Sequence, residues 1–283
     1  MNRLRTFLIL GRVSNLPTVW SNCLAGWWLG GGGNFRNLPF LLAGATFLYV
    51  GGMFLNDAFD AEFDRRYRKE RPIPSGMIEL KSVWRWGLGW LALGIVCLFC
   101  AGKVTGELGI GLAFFIVLYD AIHKLFDSAP VLMGICRFFL YVIAASTGLH
   151  GVTGTSVWCG LALGAYIVGV SYVARRESRS DVLRYWPLVL LAAPVVLAII
   201  MDVNEYREGA LLLSAVLGLW SLRCLRHTLW AEERDIGQTV SGLLAGIVFV
   251  DWLAVADAPN NAALVFVVLF LLALLSQKVV PAT

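Results

Sequence analysis

Between residues 56 and 76 the chain reads Asn56-Asp57-Ala58-Phe59-Asp60-Ala61-Glu62-Phe63-Asp64, then Arg65-Arg66-Tyr67-Arg68-Lys69-Glu70-Arg71-Pro72-Ile73-Pro74-Ser75-Gly76. On a helix turning about 100° per residue, Asp57, Asp60 and Asp64 fall on one narrow face and Glu62 on the other side. Three carboxylates on a common face repel one another, and a bound divalent cation is the simplest relief. Mg2+ favours one or two carboxylates together with substrate phosphate oxygens. Arg65 and Arg68 flank the acidic face if the helix continues, and Arg71 stands just before Pro72, which ends it. Carboxylate, Mg2+ and guanidinium together are what binding and ionising a diphosphate requires, because the metal bridges oxygens and arginine takes them in pairs. The plainer alternative is a solvated loop laced with salt bridges. It explains the composition, but neither the common face nor the position of Asn56 and Asp57 against an apolar stretch.

Other polar residues need placing. Arg137 lies inside an apolar segment and Asp120 near the end of another; intramembrane charges are rare and mark pairs or sites. An Asp120–Arg137 ion pair and a diphosphate contact by Arg137 are both open. Asp251, deep in the segment Val250-Asp251-Trp252, reads as structural. Asn15 and Asn22 share a helix face. His150 and His227 are isolated, so neither haem nor zinc is indicated. The six cysteines, including Cys97 and Cys100, sit in or at the ends of apolar stretches and read as packing residues.

The elements that carry these residues follow from composition. Of 283 residues, 58% are hydrophobic and only 15% charged, and the mean hydropathy is +0.73. An ordinary soluble domain is about a quarter charged. A soluble enzyme, a disordered chain and a disulfide scaffold are excluded; the chain is an integral membrane protein. Apolar segments long enough to span a hydrocarbon core cover 14–30, 38–56, 83–101, 107–125, 131–149, 155–174, 186–201, 208–224, 238–256 and 261–277, with 186–201 and 208–224 marginal. Nine or ten spans are expected, in a single domain over residues 1–283, with the first segment retained and not cleaved as a signal peptide.

Ten alternating passes place 19 of the 23 Lys and Arg residues on one side and three on the other, with Arg137 left inside a helix. The positive-inside rule then puts both termini and the four long loops in the cytoplasm of an inner-membrane-type, multi-pass protein. That asymmetry accounts for the net charge of +4 without any nucleic-acid partner. Gly51-Gly52, a turn or so before the aspartates, would let a neighbouring helix pack closely.

Asn56-Asp57-x-x-Asp60-x-x-x-Asp64 followed by Arg71-Pro72-x-Pro74-x-Gly76 closely resembles the first aspartate-rich motif of the UbiA-type intramembrane prenyltransferases. Arg12-x-x-Asn15 before the first span, the helix count and the loop placement extend the resemblance over nearly the whole chain. It implies an all-α polytopic fold of nine or ten transmembrane helices around a central cavity open toward lipid. It also implies Mg2+-dependent transfer of an isoprenyl group from its diphosphate to a lipophilic, often aromatic, acceptor. Carried onto this sequence, it makes Asp57, Asp60, Asp64 and Lys124 catalytic. Asp57, Asp60 and Asp64 would hold one metal ion, and Glu177 and Asp181 a second. Asn15, Asn56, Arg68, Arg71, Tyr119, Arg137, Tyr172 and Arg176 would contact substrate.

Two places depart from the family pattern. The second motif is usually D-x-x-x-D beginning four residues beyond a tyrosine; here Arg176 takes that place after Tyr172, and Glu177-x-x-x-Asp181 follows one residue late. In Tyr119-Asp120-Ala121-Ile122-His123-Lys124, His123 occupies the usual lysine position and Lys124 comes one later. With Met133-Gly134-Ile135-Cys136-Arg137 and Ala174-Arg175-Arg176-Glu177-Ser178, these variations look similar to a divergent, EboC-like branch. They leave a second expectation beside the transferase: a catalytically silent relative that binds or carries an isoprenoid lipid. A secondary transporter ranks low, because no pair of broken helices stands at matching positions.

Overall fold

The computed structural model describes residues 3–33, 35–175, 186–201, 207–230 and 234–280. The regular elements among them are helices: α1 (Arg3–Leu10), α2 (Leu16–Leu29), α3 (Leu38–Phe59), α4 (Ala61–Tyr67), α5 (Leu80–Ala101), α6 (Lys103–Ile122), α7 (Ala129–Ala145), α8 (Gly154–Arg175), α9 (Ala193–Met201), α10 (Arg207–Leu229), α11 (Ile236–Ala245), α12 (Ile247–Ala254) and α13 (Asn260–Gln277), with 3-10 turns at Val13–Asn15 and Trp186–Ala192. Within hydrocarbon every backbone polar group must be satisfied inside its own segment, which leaves the helix as the form for these apolar runs. All ten apolar stretches are helical. Six spans, one of them α11 and α12 taken together, are long and apolar enough to cross a membrane. Three more apolar helices, Ala129–Ala145, Pro187–Met201 and Asn261–Gln277, are shorter.

Three stretches read as straight spans are interrupted, each for a local reason. The 186–201 stretch is a 3-10 turn followed by α9. Pro187 and Pro194 lack the N–H that a continuous helix would use, and proline fits only the first turn. The 238–256 stretch breaks between α11 and α12 at Gly246, where a Cβ would come within 2.9 Å of the Tyr166 hydroxyl and 3.0 Å of Trp220. The 131–149 stretch ends at Ala145, where Ser146, Thr147 and Gly148 turn the chain.

Hydrogen bonds between helix ends gather at two opposite faces. At one face, Arg175 at the end of α8 reaches the turn after α6, Gln277 Nε2 donates to Ser241 O (3.0 Å), and Ser276 Oγ donates to Ser14 O (3.2 Å). At the other, His150 N donates to Gly30 O (2.7 Å), Thr153 Oγ1 donates to Leu29 O (3.0 Å), and Thr105 and Ser146 share a hydrogen bond. The Arg- and Lys-rich segments 65–71, 123–124 and 223–230 belong to the first, basic face.

Two large buried clusters meet along α2 and α7. Tyr166, Leu163, Leu217, Leu243 and Val248 belong to one; Leu41, Leu48, Leu98 and Ile143 belong to the other. Ala25 and Tyr141 join the first, while Val19, Cys23, Leu140 and Ala144 join the second, so α2 and α7 carry residues of both. The expected close approach at Gly51 is present: a Cβ there would lie 2.9 Å from Gly87 O on α5. Outside the bundle, Val189, Ile200, Leu212 and Leu219 stand well exposed, as lipid-facing side chains would.

Candidate active site

The acidic helix face forms as read from the sequence, with a slight bend. Asp60 closes α3 and opens α4, yet its φ of −81° and ψ of −6° keep the chain near helical. The hydrogen bonds Asp60 N to Asn56 O, Asp64 N to Asp60 O and Arg68 N to Asp64 O run through the junction at 2.8–3.0 Å. Asp57, Asp60 and Asp64 therefore keep the period that puts them on one side. Asp57 and Asp64 are buried, at 4% and 3% exposure.

The helix ends at Tyr67, before the Pro72 terminator expected from the sequence, because Arg68 leaves helical geometry at φ −138° and ψ 62°. Residues 68–77 then fold back through Arg71 N to Arg68 O, Ser75 N to Arg71 O and Met77 N to Pro72 O, with Gly76 at φ +76°. Ile73 is buried with Leu10, Phe54, Ala58, Ala61 and Val83. This apolar anchor holds the returning loop so that Arg71 Nη1 meets Asp57 Oδ1 at 3.1 Å.

Other cations arrive from distant parts of the chain. Arg12 Nη2 lies 3.5 Å from Asp57 Oδ1 and donates to Asn56 Oδ1 at 3.2 Å. Its backbone, at φ +40°, is the one non-glycine residue in the left-handed region among the described residues; such strain concentrates at functional positions. Asn56 Nδ2 donates in turn to Asp120 Oδ1 (3.0 Å). Lys124 Nζ sits 2.6 Å from Asp60 Oδ1, with His123 Nε2 3.4 Å from the same oxygen. His123 stacks on Tyr119, ring centroids 5.1 Å apart. Both residues that share the shifted lysine position thus converge on one aspartate.

The electrostatics of the two exposed-end aspartates differ. Burial alone would raise the Asp60 carboxyl, but hydrogen bonds and charge from His123 and Lys124 outweigh it and hold Asp60 below the usual carboxylate range. Asp64 is raised, chiefly by burial and further by Asp60 and Asp57, against the pull of Arg71 and Lys124. Protein cations thus supply much of the relief that the sequence assigned to a divalent ion. Among the described residues, no three His, Cys, Asp or Glu side chains converge on one ion position. The donor chemistry still fits Mg2+: Asp57, Asp60 and Asp64 offer hard carboxylate oxygens beside the Asn56 amide.

Deeper in the bundle, Arg137 does not pair with Asp120. Its Nη1 donates to Asn22 Oδ1 at 2.6 Å and to Thr18 O at 3.4 Å, and its guanidinium lies 6.0 Å from the Tyr49 ring centroid. Asn22 Nδ2 donates to both oxygens of Asp251 (2.8 and 2.7 Å), Tyr141 Oη donates to Oδ1 (2.6 Å), and Ser21 Oγ donates to Oδ2. Asp251 is therefore the structural, fully hydrogen-bonded carboxylate expected, but its compensating charge is Arg137, reached through Asn22. Tyr49 Oη donates to Arg12 O (3.3 Å), joining this network to the mouth of the site. Asn15 is buried beside it on the 3-10 turn. Arg68 follows the end of α4, and Tyr172 lies in the last turn of α8, toward the same basic face. Arg176, Glu177 and Asp181, the proposed second half of the site, lie outside the described residues.

The sequence did not single out Arg12, His123 or Asp120 as site residues in their own right. Arg12 carried a signal, a cation between Gly11 and a polar turn; the other two become visible only when α6 is packed beside α3. An apolar cavity of about 250 Å³ lies at the opposite face, between Leu29, Cys159, Pro194, Leu197 and Val250.

The sequence profile of the UbiA prenyltransferase family matches residues 15–279. The chain belongs to this family. It is 30% identical over 220 residues to a digeranylgeranylglyceryl phosphate synthase of Ignicoccus hospitalis, a match covering 76% of this chain and 65% of that enzyme. The matched length is thus just under two thirds of that relative. A UbiA homologue from Aeropyrum pernix in its apo form has the same fold, with a TM-score of 0.67 at 16% identity over 88% of this chain and 98% of that one. A homologue from Archaeoglobus fulgidus bound to GPP and Mg2+ aligns with a TM-score of 0.56 at 17% identity, covering 97% and 99% of the two chains.

Proposed function

We propose that this UbiA-family member is a Mg2+-dependent prenyltransferase that moves an isoprenyl group from a prenyl diphosphate to a lipophilic acceptor within the membrane. One observation carries the reading: Arg12, Arg71 and Lys124, from three separate segments, converge on Asp57 and Asp60 at one mouth of the bundle. Cations and hard oxygen donors side by side are what a metal–diphosphate group requires. Membership of the family and the GPP and Mg2+ of the Archaeoglobus homologue support it.

Asp57, Asp60 and Asp64 would hold Mg2+, with Glu177 and Asp181 as ligands of a second ion. When bound, Mg2+ supplies positive charge on the phosphate oxygens and so favours departure of diphosphate. Arg12, Arg71 and Lys124 would take the diphosphate oxygens by charge-assisted hydrogen bonds, and Arg68 and Arg176 would add further positive charge. Fixed charges in a water-poor site stabilise the leaving group far more than they would in water. Asn56 orients Arg12 and Asp120 together. Asn15, Tyr119, Tyr172 and Arg137 would contact the substrate further in, where burial would keep water from the allylic cation until the acceptor captures it. The positive-inside bias assigns the basic face, and with it both termini, to the cytoplasm.

The competing reading is a silent carrier of an isoprenoid lipid. It is favoured by the existing pairing of Asp57 and Asp60 with protein cations and by Arg176 in the usual acidic position. Purified protein given labelled farnesyl or geranylgeranyl diphosphate, Mg2+ and membrane lipid extract separates the two. Release of pyrophosphate is the outcome expected for the transferase; binding without release supports the carrier.

A further inference from the structure

The two turns that deliver cations to the aspartates are held by different means. The 68–77 turn is anchored by buried Ile73. The turn between α6 and α7 has no such anchor: Leu125 and Phe126 are 73% and 56% exposed, and Lys124, Asp127 and Ser128 are exposed as well. What reaches it is Arg175, the last residue of α8. Its Nη2 donates to His123 O at 2.8 Å, and its Nη1 donates to Phe126 O at 3.0 Å and to Asp127 O at 2.8 Å. Carbonyls at and just beyond a helix C-terminus lack intrahelical partners, and a guanidinium there is also favoured by the helix dipole. The flat fork of arginine can serve three carbonyls that curve around it; the single ammonium of lysine cannot match that geometry.

The carbonyls held by Arg175 bracket His123 and Lys124, the two side chains that converge on Asp60. We infer that Arg175 is a positioning residue of the diphosphate site. It staples the 123–128 turn from α8 and thereby presents Lys124 and His123 to Asp60 and to the substrate. Its printed hydrogen bonds go to backbone carbonyls, so Arg175 acts on the site through the turn it holds. This inference rests on the role proposed above for Lys124, while the staple itself can be tested without it.

The experiment uses the full chain in detergent or nanodiscs, with Arg175→Met and Arg175→Lys in the wild-type and in the His123→Ala/Lys124→Met background. Hydrogen exchange reads the turn, and Mg2+-dependent farnesyl diphosphate binding with pyrophosphate release reads the site. Arg175→Met is expected to speed exchange across residues 123–128 while leaving α3 and α5 protected. It is also expected to lower kcat/KM about tenfold to a hundredfold, the scale of a group displaced by about 1 Å. Arg175→Lys should recover part of both. In the His123→Ala/Lys124→Met background, Arg175→Met should change kcat/KM by less than about twofold, since coupled residues are not additive. Unchanged exchange, or a full additional loss in that background, overturns the inference. If the wild-type protein neither binds nor cleaves a prenyl diphosphate, the proposed function fails, and the exchange readout alone decides the staple.

Discussion

Lys124 Nζ is wedged between Asp60 Oδ1, at 2.6 Å, and the Phe63 ring, 3.9 Å from its centroid. An ammonium from the turn after α6 thus closes onto carboxylate and aromatic groups at the α3–α4 junction. Removing the charge should cost little stability, because the lysine side chain is 36% exposed and such pairs contribute about 1 kcal/mol at most. Lys124→Met is therefore expected to shift the unfolding midpoint only slightly. It should weaken prenyl diphosphate binding about tenfold or more, in line with a lost charge-assisted contact. Thermal unfolding and a binding titration on the same preparation check both halves.

The two neighbouring aspartates should respond to pH in opposite directions in metal-free protein. Asp60 has its folded pKa lowered, so its contribution is present above the unfolded value and is lost as pH falls through the folded one. Asp64 has its folded pKa raised, so its contribution is present below the unfolded value and is lost as pH rises through the folded one. At neutral pH, Asp60→Asn should destabilise and Asp64→Asn should stabilise. Unfolding midpoints in EDTA measure this; added Mg2+ should reverse the gain from Asp64→Asn.

Asp251, fully buried, accepts hydrogen bonds from Ser21, Asn22 and Tyr141 and balances Arg137 through Asn22. Asp251→Ala would leave these donors and a buried cation without compensation, a loss of about 3–5 kcal/mol. Asp251→Asn, which keeps the shape and part of the hydrogen bonding, should cost less. Thermal unfolding in detergent ranks the two; equal stability of wild type and Asp251→Ala would remove the network from the account.

The α7–α8 contact depends on Gly134, where a Cβ would stand 2.6 Å from Gly164 O, a backbone atom that cannot swing aside. Gly134→Ala should destabilise by about 1–3 kcal/mol through overpacking. Gly154→Ala serves as the control, since a Cβ there meets nothing within 4 Å. Comparison of their unfolding midpoints tests the contact.

Much of the architecture was legible in the sequence because hydrocarbon enforces it: each apolar run had to become a helix. The common face of Asp57, Asp60 and Asp64 was legible because it depends only on helical period, and the ladder through Asp60 keeps that period. The breaks at Pro187, Pro194 and Gly246 were masked by the uniform hydropathy around them. The partners of Arg137 were not legible, since Asn22 and Asp251 lie far off in the chain and become neighbours only when α2, α7 and α12 pack. Arg12 and His123 were under-read for a similar reason. Each reaches an aspartate only through a turn whose path is set by tertiary contacts.

If Asp57 holds Mg2+, then Arg71 and Arg12, its partners at 3.1 and 3.5 Å, are left to serve the diphosphate. The direct measurement is a titration of farnesyl diphosphate into wild-type and Asp57→Ala protein, each with Mg2+ and with EDTA. Mg2+ is expected to tighten binding to the wild type and to have no effect on Asp57→Ala, which keeps only weak, salt-sensitive anion binding through its freed arginines. Equal enhancement by Mg2+ in both proteins would contradict it.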